Sequence, residues 1–462
     1  MENKWNERID QFVQAQRENI LRDIGRLVAV PSVEGPAAPG APFGPGPRAA
    51  MDEALAIADE LGLTPGEGEG HIGWADVPGA EKEKYLATIT HLDVVPEGNG
   101  WDADPFTLRV RDGWLLGRGV ADDKGPSVLC LYALKFLKDE AGPLRYPVRA
   151  LLGCNEETNM KDVAWYNAHE KPPVFCFTPD AEFPLCNGEK GQFEADLLSP
   201  VLNGDILDFE GGVARNAVPD RASALIRAEL AALPAAEGIT LEQEAGGVRV
   251  RGWGKSGHAA MPQGTVNAIG LVVDYLLANG IGSEAERAFL QLLHKLHSAW
   301  DGTGLGIQAD DGLFDPLTVV GGVIRMENGA LRQTVDCRFP TSTNGEVLEA
   351  ALRKAAGDAG TVCMDHVNEP FYIGVDAAPI QALMAAYCQV TGEEARPFTM
   401  GGGTYARHFP LAVSFGPEDS NAVLPDFAGP MHGANEGAKF EHLLAALKIY
   451  ILALLKLEEL EY

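Results

Sequence analysis

Residues of metal-ligand type stand at the ends of apolar or glycine-marked runs. They are His91 and Asp93 in Thr-His-Leu-Asp-Val-Val-Pro-Glu-Gly, Asp122 and Asp123 in Gly-Arg-Gly-Val-Ala-Asp-Asp-Lys-Gly-Pro, Glu156 and Glu157 in Asn-Glu-Glu-Thr, and further on Asp180 and His432. Imidazole and carboxylate groups hold zinc and similar divalent ions, and a set that mixes them without cysteine suits a catalytic rather than a structural site. The chemistry open to such a set is metal-assisted hydrolysis.

Each motif also has a plainer reading. His91 and Asp93, at i and i+2, lie on the same side of an extended segment. A metal-bound His gives its second ring N–H to a fixed acceptor, and the Asp93 carboxylate is the candidate. The same pair also fits a polar surface loop. Asp122 and Asp123 are adjacent acids at the mouth of a sheet, which need a balancing cation; an Asp N-cap for the helix after Gly125 is the alternative. Glu156 and Glu157 point different ways, one free to bind metal and the other to act as general base on water. An exposed acidic loop would look alike. The Gly-Arg-Gly run is no phosphate loop, lacking both Gly-Lys-Ser/Thr and Gly-x-Gly-x-x-Gly. His258, after Ser256-Gly257, fits a turn or helix cap as well as a catalytic donor.

The elements that must position these residues alternate. A helix with Ile20, Ile24, Leu27 and Val28 on one face runs to Pro31. A Pro/Gly-rich loop follows to Arg48, and a second helix spans about 49–61. Strands are expected at about 85–90, ending at His91; at 115–119, leading to the Asp pair; at 148–154, ending at the Glu pair; and at 174–178, ending near Asp180. An apolar helix covers 126–136. This order predicts an α/β catalytic domain with a mainly parallel sheet and helices on both faces, and functional residues lie beyond the C-terminal ends of such strands. After about Gly188 the pattern becomes α+β, with strands at 192–198, 222–230, 247–253 and 330–339 and helices at 266–278 and 283–296. The α/β pattern resumes with a helix at 379–391, a strand at 411–416 and an amphipathic last helix at about 439–458. The simplest organisation is a catalytic domain, residues 1–187 and 376–462, interrupted by a large lid domain, residues 188–375.

Composition narrows the partners. With 37 basic and 66 acidic residues the net charge is −29, which disfavours nucleic acid and anionic membranes. Seven scattered Cys residues without a CxxC pair suit a reducing cytosol and small buried hydrophobes. The N-terminus carries no signal-peptide pattern, and no run of 18 uncharged apolar residues is present. A cytoplasmic location is therefore expected.

In order, His-x-Asp-Val-Val-Pro-x-Gly, Gly-Arg-Gly-x-x-Asp-Asp-Lys-Gly-Pro and Asn-Glu-Glu resemble the co-catalytic zinc peptidases that include carboxypeptidase G, acetylornithine deacetylase, succinyl-diaminopimelate desuccinylase, aminoacylase and carnosinase. Later motifs narrow the resemblance to the PepV-type dipeptidases, which cleave Xaa-His, β-alanyl and other dipeptides. These are Thr-Pro-Asp180-Ala-Glu-Phe-Pro, Gly-Gly-x-x-x-Asn216-x-Val-Pro-Asp, Gly-Lys-Ser-Gly-His258-Ala-Ala-Met-Pro, Gly-Gly-Gly-Thr-Tyr-Ala-Arg407 and Met-His432-Gly-Ala-Asn-Glu. The resemblance runs from about Leu27 to the last helix.

That resemblance implies two divalent ions, zinc first, with manganese or cobalt as competitors. It makes Asp122 the bridge, with His91 and Asp180 completing one site and Glu157 and His432 the other. Glu156 becomes the general base toward water shared by the metals, Asp93 orients His91, and the Asp122–Asp123 peptide bond is cis. His258 of the lid donates to the oxyanion. Asn216 and Arg338 grip the substrate, Arg338 through a bidentate pair with a free C-terminal carboxylate. The Gly402-Gly403-Thr404 loop offers backbone N–H groups to the same carboxylate, and Arg407 assists. Relatives have Asp and Gly where this chain has Asn155 and Asn159, and Asn159 is suited to the left-handed turn. The long lid resembles a dimer folded into one chain, so a monomer acting on dipeptides is expected. Two other functions share the motifs: an N-acyl amino-acid deacylase, and a metal-dependent peptide-binding protein without turnover, against which Glu156 argues.

Overall fold

In the computed structural model, which describes residues 2–419 and 422–462, the chain divides into two units. One comprises Met1–Asn187, Ile373–Phe398 and Gly403–Tyr462, the other Gly188–Tyr372 and Thr399–Gly402. The sequence reading places the return to the first unit at 376 and does not foresee the short Thr399–Gly402 excursion.

The first unit is built on a sheet whose centre is parallel. Leu86–His91 lies between Val148–Gly153 and Phe175–Thr178, and Ala412–Ser414 follows Phe175–Thr178, all parallel. The hairpin Thr64–Gly68 and Ile72–Val77 extends one side through an antiparallel pairing with Val148–Gly153. Leu86–His91 is buried at every position, as expected of a strand covered on both faces. Neighbouring residues show the two layers. Gly73 abuts Met51 and Leu55 of the helix Pro45–Glu60, while Trp74 meets Tyr166 of the helix Lys161–His169 at 6.2 Å between ring centroids. Successive residues point to opposite faces, so helices cover both.

The expected strand at 115–119 is shorter and lies elsewhere. Trp114–Leu116 pairs with Arg109–Arg111 and Gly437–Lys439 in a separate three-stranded sheet. Asp122 thus belongs to the loop before the helix Lys124–Phe136, not to an end of the main sheet.

The last helix, Phe440–Glu458, differs from the expected one-faced helix. Thirteen of its residues are buried, Leu443, Leu447, Tyr450, Ile451 and Leu454 among them, because it touches the helices Glu2–Val28, Lys124–Phe136 and Ala378–Thr391. A helix apolar all round is a core helix.

The second unit is an antiparallel sheet in the order Ile239–Glu244, Gly247–Trp253, Arg221–Ile226, Ile206–Gly211, Ile324–Glu327, Ala330–Phe339, Gly191–Leu198, Thr361–Asn368. The helices Ala268–Ala278, Glu284–His297 and Gly345–Ala356 form one core with Ala224, Ile226, Val248 and Val250 of the strands. Period-two burial along Gly247–Trp253 shows the half-covered face. A separate two-stranded ribbon pairs Ala217–Val218 with Gly257–His258.

Of the seven Cys residues, five are buried, Cys388 is partly so and Cys363 is exposed. No disulfide joins them among the described residues. No helix among those residues is long and apolar enough to cross a membrane.

Candidate metal centre

His91 ends its strand fully buried. Its Nδ1 lies 2.9 Å from the main-chain carbonyl of Asp93. A carbonyl only accepts, so Nδ1 carries the proton and Nε2 is the nitrogen left to face a ligand. Nε2 lies 2.8 Å from Oδ1 of Asp122 and 3.9 Å from Oδ1 of Asp180. The other oxygen of Asp122, Oδ2, is 2.8 Å from Nε2 of His432, which also stands 3.2 Å from Oε2 of Glu157. One carboxylate is therefore divided between two imidazoles, each accompanied by a second acid. Ligand atoms of His91, Asp122 and Glu157 lie within 4.8 Å of one another, as do those of His91, Glu156 and Asp180.

Asp93 does its positioning differently from the sequence expectation. Its carboxylate is 3.6 Å from Nδ1 of His91, beyond hydrogen-bond range; the ring is fixed by the carbonyl instead. The carboxylate accepts the backbone N–H groups of Glu156 on Oδ1 (3.2 Å) and Glu157 on Oδ2 (3.1 Å). One residue thus sets the tautomer of a ligand and the backbone of the Glu pair. Asp123 occupies the N-cap position of the next helix but makes no side-chain cap bond. It accepts the N–H of His91 at 3.1 Å instead. The Asp122–Asp123 bond is cis. The left-handed residue after the Glu pair is Met160, at φ 50°, and not Asn159; the turn closes with the N–H of Met160 on the carbonyl of Asn155 at 2.7 Å.

Several supports were not singled out from the sequence. Asp162 is fully buried and accepts the N–H groups of Cys154 at 2.6 Å and Asn155 at 2.9 Å, along with the hydroxyl of Tyr405. It anchors the strand end that presents Glu156 and Glu157. Arg118 and Glu436 are also buried, at 1% and 0% exposure. Both stand inside motifs already quoted, and charge within glycine-rich segments was the available signal.

The electrostatics match a site made for cations. Burial opposes a charged His91, yet Asp122 and Asp93 lift its pKa well above the ordinary value. Hydrogen bonds that its ring donates to Asp122 and Glu157 push His432 up to about 11. Burial, then the charge of Asp180, raises Glu156 well above the usual carboxylate range, and burial with Asp122 nearby brings Asp180 to about 7. Oε1 of Glu157 is buried with no hydrogen-bond partner. An orphaned carboxylate oxygen and an excess of acids around two imidazoles are what divalent ions would satisfy. The chemistry of the donors present fits divalent metal ions.

In the second unit, Asn216 and His258 are adjacent. Ala217 pairs with His258 across the ribbon, and the N–H of Ala259 donates to the carbonyl of Asn216 at 2.8 Å. Nδ1 of His258 accepts the N–H of Ala260 at 3.1 Å. The proton of the neutral ring is therefore on Nε2, leaving it a donor. Burial, then Arg338, lowers the pKa of His258, which keeps that neutral form. Arg338 spends its Nε and Nη2 on Asp336, at 2.8 and 2.9 Å. The edge free for a ligand is the one bearing Nη1, a narrower offer than the sequence suggested. Gly401 packs against Ala260, and with Gly402 it falls in the second unit. Gly403, Thr404 and Arg407 belong to the first. The Thr404 hydroxyl lies 3.0 Å from that of Ser414 and accepts the N–H of Ala406. A Cβ on Gly403 would meet the Arg407 guanidinium at 2.6 Å, so glycine is needed there for Arg407 to lie against the loop.

Residues 87–456 match the sequence profile of peptidase family M20/M25/M40. The chain is 30% identical over 469 residues to the protein named "Putative dipeptidase YtjP" of Bacillus subtilis (strain 168), covering 96% of this chain and 98% of that one. A Staphylococcus aureus (strain USA300) protein of the same description is 30% identical over 479 residues, with 98% and 99% covered. Among solved structures, human carnosine dipeptidase 1 superimposes with a TM-score of 0.60 at 14% identity, covering 98% of this chain and 99% of that one. Aminoacylhistidine dipeptidase from Vibrio alginolyticus gives 0.60 at 14% identity, with 95% and 96% covered. At such identities the structures speak to the fold.

Proposed function

Because the chain belongs to peptidase family M20/M25/M40, a family of metal-dependent peptidases, we propose that it is a dipeptidase working at two divalent ions, with Glu156 as general base. The observation that carries this reading is Asp122, whose two carboxylate oxygens each lie 2.8 Å from a different imidazole. The dipeptidase descriptions of the relatives that align along nearly their whole length support the substrate class.

The bound ions would supply Lewis acidity toward the peptide carbonyl and lower the pKa of attacking water. His91, Asp122, Asp180, Glu157 and His432 would hold them. Glu156, kept near by the Asp93 carboxylate, takes the proton from water and returns it to the departing amine. His258, a donor through Nε2, is assigned to the oxyanion of the tetrahedral intermediate. Asn216 and Arg338 are assigned to the substrate, and Gly402, Gly403 and Thr404 with Arg407 to its free carboxylate, which would limit substrates to short peptides. The first unit is read as the catalytic domain, the second as a lid. Zinc is the first candidate metal, with manganese and cobalt next, and the protein is read as a cytoplasmic monomer.

The test is a panel of dipeptides and N-acyl amino acids with wild type and Glu156→Ala. Wild type is expected to release amino acids from dipeptides, and the variant to lose about 10²–10⁴-fold in kcat while keeping its metal content. Turnover of acyl amino acids alone would make the protein a deacylase. No turnover of either class would leave a metal-dependent peptide-binding protein.

A further inference from the structure

Four acids at the centre are assigned above to ligation or proton transfer: Asp122, Glu157, Asp180 and Glu156. A further buried acid, Glu436, has no role in that scheme. It is 0% exposed. Its Oε1 accepts the N–H groups of Ala121 at 2.9 Å and Asp122 at 3.2 Å. Its Oε2 accepts the N–H of Gly119 at 3.2 Å and Nη1 of Arg118 at 2.7 Å. Three amides and a guanidinium converge on one carboxylate, so its oxygens face the loop and not the ligand cluster.

Arg118 completes the bracket. It is 1% exposed, and its Nη2 lies 3.3 Å from the carbonyl of His432, 3.4 Å from that of Pro96 and 3.3 Å from that of Glu97. The pair therefore touches three segments at once: the chain just past Asp93, the loop that carries Asp122, and the turn that carries His432. That turn needs holding. His432 has φ 61° and Asn435 φ 55°, a left-handed conformation that non-glycine residues rarely adopt. The strand pairing of Gly437–Lys439 with Trp114–Leu116 and the bond from the N–H of Gly117 to the carbonyl of Glu436 at 3.0 Å bring the two loops side by side. The buried ion pair then fixes their offset.

We propose that Arg118 and Glu436 are a positioning pair that sets the separation of Asp122 and His432, and so the geometry of the ion held by His432 and Glu157. The inference rests on the two-ion reading above. The pair touches neither substrate nor ion; it acts through the main chain of the bridging ligand and of one terminal ligand. Gln cannot replace Glu436. Whichever way its amide turns, the NH₂ meets two donors and two hydrogen bonds are lost. Lys in place of Arg118 keeps the charge but cannot span the carboxylate and three carbonyls, since it lacks the planar fork.

The experiment is zinc titration of folded wild type, Glu436→Gln and Arg118→Lys against a chelating indicator, with visible absorption spectra of the cobalt-substituted proteins. Wild type is expected to bind two equivalents. The variants are expected to bind one of the two about 10–100-fold more weakly, with the cobalt bands of that site shifted. If Glu436→Gln does not fold, Arg118→Lys carries the test. Variants that melt earlier but bind both equivalents with wild-type affinity and unchanged spectra would make the pair merely structural and overturn the proposal. Wild type that binds fewer than two ions would instead overturn the two-ion reading itself.

Discussion

At the scale of single residues the centre is a problem of sharing. Asp122 divides its oxygens between His91 and His432, and Asp93 divides its functions between a carbonyl for His91 and a carboxylate for two amides. Asp93→Asn tests the second division. The isosteric side chain retains the backbone carbonyl, so the His91 tautomer stays. Its NH₂ must face one of the two N–H groups of Glu156 or Glu157, leaving a buried donor unsatisfied at about 1–3 kcal/mol. The expected outcome is a fall in kcat with little change in KM, checked by steady-state kinetics on one dipeptide at saturating metal. Equal kcat for both proteins would mean that the Glu pair holds its place without Asp93. The five proposed ligands are legible in the sequence because the order of their motifs matches a family. What their spacing could not show is which amides converge on which acid. Asp162 anchors residues only seven and eight positions back, yet its third partner, Tyr405, is 243 residues away. The Asp93 carboxylate looked like the partner of His91 because the two are neighbours, and backbone curvature gave that place to the carbonyl.

At the scale of elements, legibility followed pattern strength. Gly247–Trp253 stands where alternation places it, because one face of its antiparallel sheet is covered and the chain must alternate; Ala330–Phe339 also stands where expected, but it is buried at every position from Gln333 to Phe339. The hairpin strand Thr64–Gly68 is not legible in the sequence; Thr-Pro-Gly-Glu-Gly has no apolar period, and its pairing comes from Ile72–Val77. Phe440–Glu458 was read as one-faced because its charges are spaced along it, but three neighbouring helices bury nearly all of its apolar surface. The helix Glu284–His297 offers an element-scale test. Ser283 and Glu286 form a reciprocal capping box, and Glu286 also accepts the N–H groups of Gly204, Asp205 and Ile206 at 2.9–3.2 Å. Ser283→Ala should cost about 1 kcal/mol. Glu286→Ala should cost more, because it strands the loop amides as well as the cap. Urea unfolding of the two variants checks the order; equal losses would mean that the loop amides find other acceptors.

At the scale of the whole molecule, acidification acts in two opposing ways. With a net charge of −29, lowering the pH neutralises carboxylates and relieves self-repulsion. Against this stands His297, at the end of the helix Glu284–His297. Gly270 and Gly321 leave room for its ring, and a Cβ on either would strike it. Burial lowers its pKa to about 4, with Gln333 and Asp274 opposing the shift and His294 adding to it. The sign follows from comparing states. Above pH 6.5 the ring is neutral folded or unfolded, and its contribution to stability is complete. Between pH 6.5 and about 4 the unfolded chain binds a proton that the folded chain refuses, so stability is lost as pH falls, by at most about 1.4 kcal/mol per pH unit. Below about pH 4 both states are protonated and the loss stops. Replacing the ring with a side chain that does not titrate isolates this contribution from the carboxylates. The stability difference between wild type and His297→Gln, from urea unfolding at steps between pH 7.5 and 5, is expected to narrow steadily as the pH drops below 6.5. Parallel curves over that range would show that the ring titrates as it does in water and that its niche does not exclude charge.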